Sequence, residues 1–140
     1  MRFMILLKAN AMSEGGGLPS EALLREMGAY NEALVAAGVM VDGGGLRPTA
    51  QGARVRFSGA EREVVRGPFA DRTVAGYWIF NADSLDAAID WVKRCPNPTG
   101  DTGEIEIRPF FETEDFAEAD PSGELRAAEH ALSERIAAQR

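Results

Sequence analysis

The sequence predicts an α+β domain with the element order β-α-β-hairpin-β-α-β, followed by one further helix. Two apolar runs, at residues 3–7 and 74–80, have the length and composition of buried strands. Two segments, one after each run, repeat apolar residues at helical spacing. A Gly67-Pro68 turn leads toward the second run, which predicts a rigid corner before a central strand.

Length, charge and cysteine content narrow the class of protein. The chain has 140 residues, 45% of them hydrophobic, which suits one domain with a core. Its 15 basic and 22 acidic residues give a net charge of -7, which disfavours nucleic acid and anionic membranes as partners. A local arginine pocket can still hold a small anion. The single cysteine, Cys95, excludes an internal disulfide and predicts a cytoplasmic protein, and we expect no metal or cofactor.

The first half of the chain predicts a strand, a helix and a second strand. Residues 2–9 are apolar on both faces and predict a central strand. The apolar run within them is too short for the core of a signal peptide or for a membrane span. Residues 10–18 predict a flexible loop. Ser20 is the expected N-cap of a helix over residues 20–37, and Gly38 is its expected stop. A second strand begins at residue 39 and ends in the glycine run at 43–45, which we expect to act as a linker.

The second half predicts a hairpin, two more strands and two helices. Residues 54–57 and 62–65 form the expected hairpin, and residues 74–81 a central strand. Asp83 or Ser84 caps a helix that ends near Cys95, and residues 104–109 alternate as a last strand. This order is that of a ferredoxin-like βαββαβ plan with an inserted hairpin. Residues 1–112 are expected to form this domain, and residues 113–140 an acidic linker and an amphipathic helix over 124–138.

The two central strands predict a homodimer. Each strand carries apolar side chains on both faces, whereas two helices cover only one face of a sheet. A second copy packed face to face is the economical cover, because closed two-fold dimers are the commonest oligomers. The C-terminal helix is the alternative cover, on its own chain or swapped onto the partner.

Taken together, short motifs along the chain resemble a YCII-related protein of the DGPF type. The motifs include Arg2-Phe3-Met4, Gly45-Leu46-Arg47-Pro48, Gly67-Pro68-Phe69-Ala70, Gly76-Tyr77-Trp78 and Arg94-Cys95-Pro96. The resemblance covers about residues 1–112 and implies a dimeric α+β barrel of ferredoxin-like units. It implies no settled activity; the occurrence of some members beside extracytoplasmic-function sigma factors implies a link to stress regulation.

The sequence departs from that family pattern at two places. Arg66 stands where the family has an acidic residue before the Gly-Pro-Phe turn, although Asp71 follows shortly after. His130, the one histidine of the chain, lies outside the matched region. The His-Asp pair proposed as catalytic in YCII relatives therefore has no counterpart here.

Two groups of charged residues and two aromatic residues are candidates for a site. Arg66, Asp71 and Arg72 form either a charged rim for an anionic or polar ligand or a solvated turn. Glu106 and Arg108 share one face of the last strand with Glu104, as a cleft lining or an exposed edge. The aromatic candidates lie on opposite faces of a central strand, so one packs in the core and the other is available for stacking; they are Tyr77 and Trp78.

Three functions fit these residues. The first is a dimeric module that binds a small polar or aromatic molecule. The second is an enzyme in which a carboxylate, Asp71 or Glu106, acts as general acid or base. The third is an adaptor that contacts a protein partner through its C-terminal helix. Cys95 and His130 are expected to be an unreactive thiol and a surface side chain.

Overall fold

The computed structural model describes residues 1–97 and 102–140 of the chain. These residues contain six strands and four α-helices, and they divide into two compact units, Met1–Pro109 and Phe110–Arg140. The elements of the first unit are β1 Arg2–Lys8, α1 Ala11–Glu14, α2 Glu21–Ala36, β2 Met40–Gly45, β3 Ala53–Ser58, β4 Glu61–Arg66, β5 Val74–Asn81, α3 Leu85–Lys93 and β6 Ile105–Pro109.

The main sheet consists of β2, β5, β1 and β6 in that spatial order, with every neighbouring pair antiparallel. The predicted α+β class is therefore confirmed, and the strand order is compatible with the ferredoxin-like plan. Both apolar runs form inner strands, and Ile5 of β1 lies between Trp78 of β5 and Ile107 of β6. Strands β3 and β4 form the predicted hairpin as a separate ribbon, in which Val55 pairs with Val64.

The core lies between one face of the main sheet and the helices α2 and α3. Its fully buried side chains include Phe3, Ile5 and Phe80 from the sheet and Leu34 from α2. Burying one such side chain contributes about 1.5–3 kcal/mol to the free energy of unfolding. The core therefore covers one face of the main sheet, the face on which α2 and α3 pack.

The prediction of a flexible loop over residues 10–18 is wrong for its first part, where α1 forms. The Asn10 side chain accepts a hydrogen bond from the Ser13 backbone amide, and the Ser13 hydroxyl accepts one from the Asn10 amide, each at 2.9 Å. This reciprocal cap satisfies amides that one helical turn leaves free. The short helix was missed because the cap depends on a polar pair rather than on apolar spacing.

The prediction that residues 43–45 form a linker is also wrong, because all three glycines are residues of β2. Gly43 lies opposite Trp78, and Gly44 lies opposite Tyr77. A Cβ atom on Gly43 would lie 2.9 Å from Cδ1 of Trp78. Gly43 and Gly44 therefore accommodate the large aromatic side chains of the neighbouring strand rather than providing flexibility.

The helix termini follow the predicted signals. The Ser20 hydroxyl accepts from the Leu23 amide at 3.1 Å, and Ser84, rather than Asp83, caps α3 through the Ala87 amide at 3.1 Å. Gly38 has a φ of +71°, the left-handed conformation expected of a residue that ends a helix. These signals are local, which is why they could be read from the chain.

The second unit contains a 3₁₀-helix, Thr113–Phe116, and α4, Glu124–Ala138, whose bounds are those predicted. Asp120 is buried and caps α4 from outside: its carboxylate accepts from the amides of Leu125 at 3.3 Å and Arg126 at 2.9 Å. These amide bonds hold the pKa of Asp120 below its ordinary value, against the effect of burial. Residues 113–123, expected to belong to an acidic linker, thus include a carboxylate that anchors a helix.

Candidate functional site

The outer face of the main sheet, opposite the core, brings together three of the predicted site residues. Its side chains alternate along the strands with those of the core, and they form two rows that run across the sheet. One row contains Gly44, Tyr77, Leu6 and Glu106, and the next contains Asp42, Ile79, Met4 and Arg108. Each row therefore has an apolar centre and a charged side chain at one or both ends.

Tyr77 offers a half-buried phenol on this face. A Cβ atom on Gly44 would lie 3.4 Å from Cε1 of Tyr77, so the ring leans across the glycine. The Tyr77 hydroxyl forms no hydrogen bond to any residue within 1–97 or 102–140. A phenol in this setting retains both its donor and its acceptor for a ligand.

Glu106 holds together the cationic end of the outer face. Its carboxylate accepts from Nζ of Lys8 at 2.9 Å and from Nη1 of Arg108 at 3.3 Å. These hydrogen bonds, that of Lys8 foremost, hold the pKa of Glu106 below its ordinary value. Two cations around one carboxylate leave the cluster with a net positive charge.

The direction of this pKa shift bears on the hypothesis of acid-base catalysis. A carboxyl group that acts as a general acid at neutral pH needs a raised pKa, which burial would supply. Here Lys8 and Arg108 lower it, so Glu106 is ionised at neutral pH and holds no proton to donate. The geometry therefore favours an electrostatic anchor over a general acid.

The charged residues near the Gly-Pro-Phe turn occupy two positions. Arg66 is the last residue of β4 and pairs with Ala53 across the hairpin. Asp71 and Arg72 follow the turn, and Oδ1 of Asp71 lies 3.8 Å from Nη1 of Arg54 and 3.6 Å from Nε of Arg72. The Asp71 side chain is 72% exposed, so these ion pairs are weak.

A hydrogen-bond chain that the sequence did not reveal supports this turn. The Phe69 amide donates to the Thr49 hydroxyl at 2.9 Å, and that hydroxyl in turn donates to the Glu14 carboxylate. The Thr49 amide also donates to Glu14, at 3.1 Å. Three segments distant in the chain are thus tied together at Thr49. The Gly67-Pro68-Phe69 motif was the signal in the sequence that marked this turn.

Trp78, a predicted ligand-binding residue, lies in the core rather than on the outer face. It is 8% exposed, and its indole donates to the Asn31 side chain at 2.9 Å. Its ring meets that of Tyr30 edge to face, with centroids 5.8 Å apart. The structure therefore separates the two aromatic candidates and leaves Tyr77 as the one available for stacking.

Cavities open elsewhere on the first unit. One of about 500 Å³ is lined by Arg47, Arg54, Arg72 and Phe69 among others. Another of about 730 Å³ includes Lys8 and Cys95, and burial raises the pKa of the Cys95 thiol to about 11. That thiol is protonated at neutral pH and is a poor nucleophile.

In the described part of the chain, no group of three or more His, Cys, Asp or Glu side chains is arranged to hold a metal ion. His130 lies on α4, where its Nε2 is 3.2 Å from Glu134 and its side chain is exposed. None of the helices within 1–97 and 102–140 has both the length and the apolar character needed to cross a bilayer.

Comparison with known proteins places the chain in a family. The family model of the YCII-related domain matches residues 1–114, which include the whole Met1–Pro109 unit. A protein of Rhizobium meliloti (strain 1021), described as uncharacterized, is 33% identical over 92 residues, which cover 64% of this chain and 74% of that relative. The chain therefore belongs to the family of YCII-related domain proteins.

Proposed function

We propose that the protein is a homodimer whose subunits pack through the outer face of the main sheet and bind a small polar or aromatic molecule between the two sheets. The observation that carries this proposal is the row in which Tyr77, Leu6 and Glu106 lie side by side on adjacent strands. Tyr77 and Glu106 are two strand spacings apart, about 10 Å, which suits a small planar molecule.

The composition of the outer face supports a second copy as its cover. Met4, Leu6 and Ile79 form an apolar centre, while Asp42 and Arg108 lie at opposite ends of one row. A two-fold axis that runs along the strands, between the sheets, places the β2 edge of one subunit over the β6 edge of the other. Asp42 then faces Arg108 of the partner subunit, which makes the face self-complementary.

The same face supports a ligand between the subunits. Sheets pack about 10 Å apart, and the Tyr77 ring leans across Gly44, which has no side chain to cover the ring. The phenol of Tyr77 orients a polar group, and the cationic cluster of Lys8, Glu106 and Arg108 attracts an anionic one. A small aromatic carboxylate has both features.

Two measurements test this proposal. Sedimentation equilibrium is expected to give the mass of a dimer, and Leu6→Arg to give a monomer because it buries a charge in the apolar centre. Isothermal titration calorimetry with 4-hydroxybenzoate is expected to show binding that Tyr77→Phe weakens about fivefold without changing the mass. A monomer at concentrations well above micromolar would refute the dimer, and equal affinity of Tyr77→Phe would refute the role of the phenol.

The other functions inferred from the sequence stay predictions. Catalysis by Asp71 or Glu106 is one of them, and the lowered pKa of Glu106 disfavours that carboxylate as a general acid. An adaptor role keeps a basis in α4, whose apolar residues Leu125, Leu132 and Ile136 are more than half exposed, at 70%, 52% and 54%. The link to stress regulation rests on the family resemblance alone.

A further inference from the structure

We propose that the cavity beside the Gly-Pro-Phe turn is a second binding site, which holds a small oxyanion, phosphate or carboxylate, borne on a molecule with an apolar body. The site is the arginine pocket, defined by Arg47, Arg54 and Arg72 around Phe69. It is separate from the site proposed between the two sheets, since neither Tyr77 nor Glu106 lines it. The proposal therefore does not depend on the proposed function.

The size and walls of the arginine pocket suit a small molecule. Its volume is about 500 Å³, within the range of ligand cavities. Apolar side chains form much of the wall, and they are Leu46, Pro48, Ala53, Phe69 and Val74. A mostly apolar wall with a few charged groups orients a ligand by its charge and holds its body by contact.

The charge of the pocket is opposite to that of the chain. The protein carries a net charge of -7, yet the described residues that line the pocket include three arginines and no aspartate or glutamate. The nearby Asp71 carboxylate lies 3.8 Å from Arg54 and 3.6 Å from Arg72, and it is 72% exposed. One solvated carboxylate leaves the three arginines only partly neutralised, so the pocket attracts an anion.

Arg54 is held in place before any ligand arrives. Its guanidinium stacks 3.9 Å from the centroid of the Phe69 ring, and its Nη2 donates to the Asp71 carbonyl at 2.8 Å. Its side chain is only 27% exposed. A guanidinium has five N–H donors, so a fixed orientation with one donor engaged leaves others for two oxygens of an anion.

The backbone around the pocket is fixed as well. Arg72 has a φ of +54°, the one positive φ among the non-glycine residues that the structure describes. Such a conformation in an arginine is uncommon and persists where the surroundings impose it. The chain of hydrogen bonds from Phe69 through Thr49 to Glu14 ties the turn to the segment that follows Arg47. The backbone that carries the arginines is therefore held in place on both sides of the pocket.

The test uses inorganic phosphate and succinate as probes at constant ionic strength, titrated calorimetrically into the full-length protein. Arg47→Gln and Arg72→Gln are each expected to weaken binding about tenfold, the loss of one charge-assisted contact. Arg56→Gln is the matched control, because Arg56 lies two residues beyond Arg54 on β3, pairs with Glu63 and does not line the pocket. Arg54→Gln also removes the stacking on Phe69, so the other two variants carry the test.

The titrations distinguish a specific anion site from a general effect of net charge. Saturable binding that both pocket variants weaken and Arg56→Gln leaves unchanged supports the site, and the tighter probe identifies a phosphate or a dicarboxylate as the preferred group. An equal loss of affinity in all three variants would show that binding depends on net charge alone and would overturn the proposal. The absence of saturable binding with both probes would also overturn it. Tyr77→Phe is expected to leave binding of both probes unchanged, which separates this site from the one proposed between the two sheets.

Discussion

Gly67 and Thr49 approach each other more closely than a side chain on Gly67 would allow. A Cβ atom added to Gly67 would lie 1.7 Å from the carbonyl oxygen of Thr49 and 2.5 Å from its carbonyl carbon. The Gly67 amide meanwhile donates to the Gly52 carbonyl at 3.0 Å. The glycine of the Gly-Pro-Phe turn is thus required by contact between two backbone segments.

Replacing Gly67 tests this contact. Gly67→Ala is expected to lower the free energy of unfolding by about 2–4 kcal/mol, because the obstructing atoms are backbone and relieve the overlap only by moving the turn. Gly52→Ala is the matched control, since its Cβ would lie 3.6 Å from the same Thr49 oxygen. Urea denaturation of both variants measures the difference, and equal stabilities would contradict the assigned role.

Glu106→Gln tests the electrostatic anchor through its pH dependence. The folded pKa of Glu106 is lower than its ordinary value of 4.5, so the carboxylate stabilises the fold above pH 4.5 and this contribution is lost as pH falls through the folded pKa. We therefore expect the variant to be less stable than the parent at neutral pH and the difference to shrink in acid.

Chemical denaturation of Glu106→Gln across that pH range checks the sign. Glu104→Gln is the control, because Glu104 is an exposed neighbour whose side chain forms no hydrogen bond or ion pair to any other residue of the described chain. A stability difference for Glu106→Gln that stays constant below pH 4.5 would show that its carboxylate is not held by Lys8 and Arg108.

Phe80→Ala tests the core. Phe80 is 0% exposed, so its removal is expected to cost about 3–5 kcal/mol through lost burial and a residual cavity. Phe57→Ala removes the same group from the hairpin, where Phe57 is 71% exposed and contacts the Arg62 guanidinium at 4.4 Å, and is expected to cost less than about 1 kcal/mol. Thermal unfolding of both variants measures the loss of stability. Losses of similar size would mean that the buried face of the sheet is wrongly assigned.

Asp120→Ala tests the anchoring of α4. The amides of Leu125 and Arg126 lose their acceptor, and their hydrogen-exchange protection is expected to fall about tenfold. Glu118→Ala removes an exposed acidic residue from the same segment and is expected to leave that protection unchanged. If hydrogen-exchange protection of these amides were undiminished in Asp120→Ala, a group other than Asp120 would be their cap.

Most strands and helices could be predicted because their signals are local. The strand predicted over residues 74–81 has these bounds in the structure, and Ser20 caps its helix as expected. Gly43 and Gly44 were misread because the reason for them lies on another strand, in the rings of Trp78 and Tyr77. A sequence shows the glycine but not the neighbour that requires it.

The candidate site could be predicted in its parts but not in its assembly. Tyr77 and Glu106 were recognised individually, yet their common row depends on the strand pairing, and Lys8 is 98 residues from Glu106. When a strand carries apolar side chains on both faces, its sequence does not show which face the helices cover. The sequence therefore left open which of Tyr77 and Trp78 lies in the core. Arg54 was missed because its neighbours come from the turn and not from its own strand.

The position of β1 in the main sheet affects how the protein is made. This strand is synthesised before the other strands of the sheet, yet its two neighbours are β5 and β6, and Phe3 pairs with Pro109. The sheet therefore cannot be completed until nearly the whole unit has been synthesised, which favours slow folding through distant contacts. A nascent chain arrested before β6 would expose β1 as an unpaired apolar edge, open to aggregation with other chains.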